Sequence, residues 1–201
     1  MKIKGYVHML PDAVRLNGAL LPTEGRGLQM LDTLYRSQVA DYPKFFKMDP
    51  LSKLGFLAVE LLVKDEADRF CPREDRAVLL FSRSGPLCDD RSYQQTIAEA
   101  DFFPSPALFV YTLANIVTGE IAIRNKYEGD TTAYGLASFS PGPFVAAVCD
   151  AFEDRVTTSA VCGWVECPEA DRFEAFVLLV EQDAPDGLPF TEEMLMKIKK
   201  D

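Results

Sequence analysis

The chain has 201 residues, 48% hydrophobic and 26% charged, enough for one substantial domain that would bury about 70% of its unfolded surface. Acidic residues outnumber basic ones by 31 to 21, giving a net charge of −10; this argues against nucleic acid as a partner, because phosphate binding needs clustered Lys and Arg. No apolar run approaches the roughly 20 residues needed to cross a bilayer, and Pro11 breaks the N-terminal apolar stretch too soon for a signal peptide, so no membrane insertion and a cytoplasmic location are expected.

The pattern predicts a first strand over Ile3–Met9, then an irregular Gly/Pro-containing segment to about Gly27. From Leu28 to Lys47 no period dominates; a short helix followed by a loop fits it. Asp49 before Pro50 places an N-cap carboxylate ahead of a proline at the first helical position, and Leu51, Leu54, Ala58, Leu61 and Leu62 then recur at helical spacing. A charged turn over 65–75 leads into a buried-strand run, Ala77–Phe81, and 82–90 reads as loop from its Gly, Pro and Asp content. A second helix is predicted to start at Thr112, with Leu113, Ile116, Val117, Glu120, Ile121 and Arg124 on one face. After a turn at Gly129-Asp130 comes a strand at about Thr132–Ala137, then punctuation at 140–143, then an apolar helical stripe of Phe144, Val145, Val148, Cys149 and Phe152. Two strands, Thr158–Val165 and Phe173–Glu181, and a short helix over Thr191–Lys200 end the series.

The order β-α-β-α-β-α-β-β predicts an α/β fold, a mostly parallel sheet with helices on both faces and an antiparallel edge permitted at the last two strands. The segment 11–47 is too long for a compact domain to leave structureless. Cysteines at 71, 88, 149, 162 and 167 form no CxxC pair, so reduced thiols are expected, with neither metal nor cofactor. The acidic pairs Asp89-Asp90 and Glu153-Asp154 border predicted elements and read as solvated turns.

The segment 103–119, FPSPALFVYTLANIVTG, resembles the ketosynthase stretch that runs from a Pro-rich loop into an Asn-x-x-x-Gly helix, here Asn115 and Gly119. That family places a glycine ten residues beyond the helix glycine, and Gly129 stands there. Weaker likenesses flank it in the same order: Lys47–Leu54 is similar to the family's early helix, Cys162–Glu166 to a strand ending in Gly-x-Glu, and Phe173–Phe176 to the start of the next strand. The resemblance covers roughly residues 40–182. It implies one half of a thiolase-like fold over 1–201, the N-terminal half of a β-ketoacyl-carrier-protein synthase.

Counting from Gly129 along the family's strand, the nucleophile turn falls at Ser138, or at Ser140 if the alignment slips; the family uses cysteine there, favoured as thiolate at a helix N-terminus. Either serine is also suited simply to capping the helix that begins near Pro141–Pro143. The family's catalytic histidines belong to its second half, and His8, the sole histidine, lies on the first strand. The resemblance therefore implies a catalytically incomplete protein, an accessory or chain-length-factor-like subunit of fatty acid, aryl-polyene or polyketide-type biosynthesis. Its alternatives are a residual acyltransferase or thioesterase using Ser138, and an acyl-chain binder using a pocket beside helix 112–126. A single half would leave the stripe on 144–152 exposed, which implies a cover: a second copy, a full ketosynthase subunit (which could also dock on the 132–137 strand), or residues 11–47 folded back. Acyl carrier protein is the further expected partner.

Overall fold

The computed structural model describes residues 1–98 and 102–200. Its centre is an eight-stranded sheet of β1 (Lys2–Leu10), β2 (Ala13–Leu16), β3 (Ala19–Leu20), β4 (Arg76–Ser82), β5 (Thr131–Gly135), β6 (Ser159–Glu169), β7 (Arg172–Glu181) and β8 (Leu188–Pro189). The order is β3-β2-β1-β7-β6-β4-β5, with β8 paired to β1. Parallel pairing is confined to β5-β4-β6, whereas β6-β7, β7-β1 and β1-β2 are antiparallel. The antiparallel part is larger than the expected edge, because the first strand lies beside the last long one and the segment after it folds into a hairpin.

That hairpin has a local cause. Asn17 and Gly18, with φ of 51° and 81°, form a two-residue turn of the kind that matches strand twist, and Leu16 pairs with Ala19 across it. The Asn17 side chain accepts a bond from the Tyr6 amide at 2.8 Å, tying the turn to β1. The rest of the segment is α1 (Gly27–Gln38) and a 3-10 turn (Pro43–Lys47), in line with the helix-then-loop reading.

Side chains alternate across the sheet, so each strand feeds two cores. On one face, Val7, Val78, Leu80, Val161, Val177 and Leu179 meet α1, α2 (Pro50–Val63) and α5 (Ile116–Asn125). Asp49 caps α2 as its sequence predicts, accepting from Leu51 N at 3.0 Å and Ser52 N at 3.1 Å. Gly55 lets α2 approach α5: a Cβ there would stand 2.6 Å from Val117 Cγ2. On the other face, Leu79, Phe81, Cys162, Trp164, Phe176 and Leu178 meet α6 (Pro141–Ala151) and α7 (Glu192–Ile198).

Three expectations need correction. The region read as loop from Ser82 contains α3 (Leu87–Thr96), and Asp89 is buried on it rather than solvated. The helix expected from Thr112 begins only at Ile116; a separate turn of helix, α4 (Pro106–Tyr111), precedes it and ends at Thr112. Ser105 before Pro106 caps α4, repeating the Asp49-Pro50 arrangement. Finally, the α6 stripe is not left bare. Phe144 and Val148 are fully buried, and their cover is the C-terminal segment (Phe190, Leu195 and Ile198) rather than residues 11–47, which lie on the opposite face.

Among the described residues no helix is long and apolar enough to cross a membrane.

Candidate functional site

β4 lies between β6 and the edge strand β5, all three parallel, and the loops that follow β4 and β5 line one cavity with the end of β6. Gly129 makes this possible. A Cβ on it would stand 2.5 Å from the Arg76 carbonyl oxygen, so only glycine lets the chain cross the start of β4, after which Val78 N donates to Asp130 O at 2.7 Å. The chain then runs through β5 to a turn, 136–140, that opens α6.

Ser138 lies exposed on this turn, and its hydroxyl makes no hydrogen bond to a described residue. Ser140 occupies the N-cap position of α6, yet its side chain accepts no cap bond. The capping role expected of these serines is thus not realised by either hydroxyl. Phe139 anchors the turn instead, its ring 5.9 Å from those of Phe144 and Phe176 and 6.3 Å from Trp164.

Ser138 borders a cavity of about 600 Å³ whose walls include Arg83, Phe139, Trp164, Glu166, Phe173 and Glu174. Two carboxylates therefore face the space where a general base would be sought. Glu166 is committed to structure: it accepts from Ser82 Oγ at 2.8 Å, Arg83 N at 2.7 Å, Ser84 N at 3.1 Å and the Ser84 hydroxyl. Burial pushes its pKa up, but these donors outweigh burial and hold it below the ordinary value. Glu174 is held by His8 Nε2 at 2.8 Å and by Lys199 Nζ. Burial again raises its pKa, but the hydrogen bonds from His8 and Lys199 and the charge of Lys199 prevail and bring it down to about 2. A carboxylate so stabilised is a poor proton acceptor for a serine hydroxyl. The sole histidine, His8, sits behind Glu174 rather than on the cavity wall.

On the other side of the 83–86 loop is a second cavity of about 240 Å³ beside α5, lined chiefly by Leu51, Leu80, Phe81, Val117, Tyr134 and Val165. Next to it, Asp89 on α3 faces Asp49 at the start of α2. Asp89 is 4% exposed and its Oδ2 has no hydrogen-bond partner. Burial first, then the charges of Asp49 and Asp90, push its pKa up to about 6. The acidic cluster gave no sign of this in the sequence, because burial of α3 is a tertiary effect. Among the described residues no group of three or more His, Cys, Asp or Glu could hold a metal, and no disulfide is formed by the five cysteines.

The element order, with the 136–140 turn leading from the edge strand β5 into α6, gives the fold of a thiolase-like half of the ketosynthase type. Solved structures similar to it bear this out. The ishigamide ketosynthase/chain length factor matches with a TM-score of 0.61 at 18% identity, over 94% of this chain and 64% of that one. The ketosynthase ApeO in complex with its chain length factor ApeC, from Xenorhabdus doucetiae, matches with a TM-score of 0.58 at 15% identity, over 100% of this chain and 91% of that one. A β-ketoacyl synthase from Burkholderia phymatum matches with a TM-score of 0.60 at 12% identity, over 91% of this chain and 60% of that one. The chain thus spans less than two thirds of the first and third of these structures. No protein-family model and no curated protein matches the sequence.

Proposed function

We propose that the chain is a catalytically incomplete, ketosynthase-like accessory subunit of chain-length-factor type, acting with a ketosynthase subunit in cytoplasmic fatty acid, aryl-polyene or polyketide-type biosynthesis. The observation that carries this reading is the nucleophile turn. The turn between β5 and α6, where the resemblance puts the family's nucleophile, carries Ser138 in place of cysteine, with the stabilised carboxylates of Glu166 and Glu174 beside it. The match over the whole of this chain and 91% of a chain in a ketosynthase–chain length factor complex supports a place in such a pair.

The surface supports pairing too, though not through α6. The edge strand β5, TTAYG, carries no charge or proline to blunt it, and an edge of that kind is a ready template for another strand. Phe102, Phe103, Phe109, Val110 and Leu113 stand exposed in the segment leading to α5, which packs against β5; an apolar surface of this extent favours a partner. The test is condensation with malonyl and acyl groups on acyl carrier protein. The chain alone should give no β-ketoacyl product, while a co-expressed ketosynthase should need it for full activity or for product length. Condensation by the chain alone would overturn the proposal.

A second reading is favoured by the exposure of Ser138 on a cavity large enough for a thioester arm: a serine acyl acceptor, as in an acyltransferase or thioesterase. Intact-protein mass spectrometry after incubation with acyl thioesters decides it. An adduct lost in Ser138→Ala supports the reading, and no adduct sinks it. The 240 Å³ apolar cavity beside α5 would serve simple acyl-chain binding, which would show as co-purified lipid.

A further inference from the structure

The C-terminal segment does more than cover α6. It is attached lightly: β8 makes only two pairings with β1, Lys2 with Pro189 and Ile3 with Leu188. Beyond them the attachment rests chiefly on three buried apolar side chains, Phe190, Leu195 and Ile198, with Met194 packed beside them, one backbone bond from Phe190 N to Met1 O, and one cation, Lys199. Elements held by so few contacts open at lower free energy than the strands beneath them.

The contacts of Lys199 fall on the site. Its ammonium lies 5.3 Å from the Phe139 ring centroid and 5.9 Å from that of Phe176, and it pairs with Glu174, which in turn holds His8 on β1. Phe139 is the residue that anchors the Ser138 turn, and both Phe139 and Glu174 are walls of its cavity. Lys199 therefore closes an aromatic box whose other sides are Phe144, Trp164 and Phe176. At the start of α6 the same segment makes a second approach: a Cβ on Gly142 would stand 3.6 Å from both carboxylate oxygens of Glu192. Carboxylate charge at a helix N-terminus is favourable, so this contact also fastens the segment where the turn meets the helix.

We infer that residues 184–200 form a strap over face and turn alike, with Lys199 as the catch that fixes Phe139 and so sets the shape of the Ser138 cavity. With the strap seated, Phe139 is boxed and both hydrogen-bond partners of Glu174 are in place. With the strap lifted, Phe139 loses its cation and the Glu174 carboxylate facing the cavity loses one of its two partners. This concerns the turn's mobility and stands apart from whether the chain pairs with a ketosynthase.

The test is amide hydrogen exchange on the full chain, read by peptide. Lys199→Gln removes the charge and keeps the length. Exchange should rise about fivefold in peptides over 137–144 as well as 190–198, with β6 and β7 unchanged, the size expected from loss of a surface cation–π contact. Lys199→Arg, which keeps a cation for Phe139 and Glu174, should restore protection in both regions. A rise confined to 190–200 would overturn the inference. So would a uniform rise through the sheet, since that would mark Lys199 as a general stabiliser.

Discussion

Arg76 offers the sharpest test of how the sheet is held at the end remote from the site. Its side chain is wholly buried at the start of β4, yet charged. It donates to Glu66 Oε2 at 2.6 Å and Oε1 at 2.9 Å, to Tyr127 Oη at 3.1 Å and to Ser159 Oγ at 3.0 Å. These bonds clamp the α2–β4 connection and the C-terminal end of α5 onto β6. Removing one member of a buried pair typically costs about 3–5 kcal/mol, and Glu66, still 17% exposed, can recover some water. Arg76→Ala should therefore lose about 3 kcal/mol, near the lower end of that range. At roughly 2–4 °C per kcal/mol for a chain of this size, the midpoint should fall by about 6–12 °C. Replacing the set by apolar groups (Arg76→Met, Glu66→Leu, Tyr127→Phe) should recover all but about 1 kcal/mol, because a buried ion pair contributes little over a hydrophobic substitute. Urea unfolding followed by the fluorescence of Trp164, the single tryptophan, measures both. A loss under about 1 kcal/mol in Arg76→Ala, or a triple variant no better than the single one, would refute this reasoning.

Acid titration should show opposing limbs. Asp89, raised to about 6, is least costly when protonated, so its penalty is absent below the unfolded carboxylate range near pH 4 and complete above pH 6. Asp89→Asn should flatten that limb and raise the midpoint at pH 7.5 but not at pH 4. Glu174 and Asp75, both lowered to about 2, contribute stability above roughly pH 4.5 that disappears as pH falls toward 2, so Glu174→Gln should lessen acid sensitivity. Gly55→Ala should cost about 1–3 kcal/mol by driving a methyl into Val117, despite the gain in helix propensity, and calorimetry would expose any error in sign. Ser138→Ala should leave both the fold and any complex with a ketosynthase unchanged; loss of the complex would place Ser138 in the interface instead.

Much of the fold was legible because local chemistry and tertiary context agreed. Asp49-Pro50, the 77–81 run, the 144–152 stripe and the two final long strands each appear within a few residues of where their patterns place them. The misses have separate causes. Asn17-Gly18 is a strong hairpin signal, but the strands it joins are only four and two residues long, too short to show alternation. Helix α3 carries a polar sequence with little periodicity and is held by its neighbours, so its Gly-Pro start read as loop. Ser105-Pro106 was a readable cap hidden within a longer apolar run. Spacing from Gly129 put the family's nucleophile position at Ser138, which lies on the turn between β5 and α6, and the close approach at Arg76 supplies the physical reason that a glycine stands at 129. Gly119, the other spacing mark, has no such explanation: a Cβ there would meet nothing within 4 Å. The carboxylates facing Ser138 could not be foreseen, since Glu166 and Glu174 reach the cavity only through the pairing of β6 with β4 and β7.

The central claim is that this chain works as the non-condensing member of a pair. Size-exclusion chromatography with light scattering, on the chain co-expressed with a candidate ketosynthase partner, tests that most directly. A stable complex containing both chains is the predicted result. Two separate peaks at micromolar concentration, with the ketosynthase fully active alone, would contradict it.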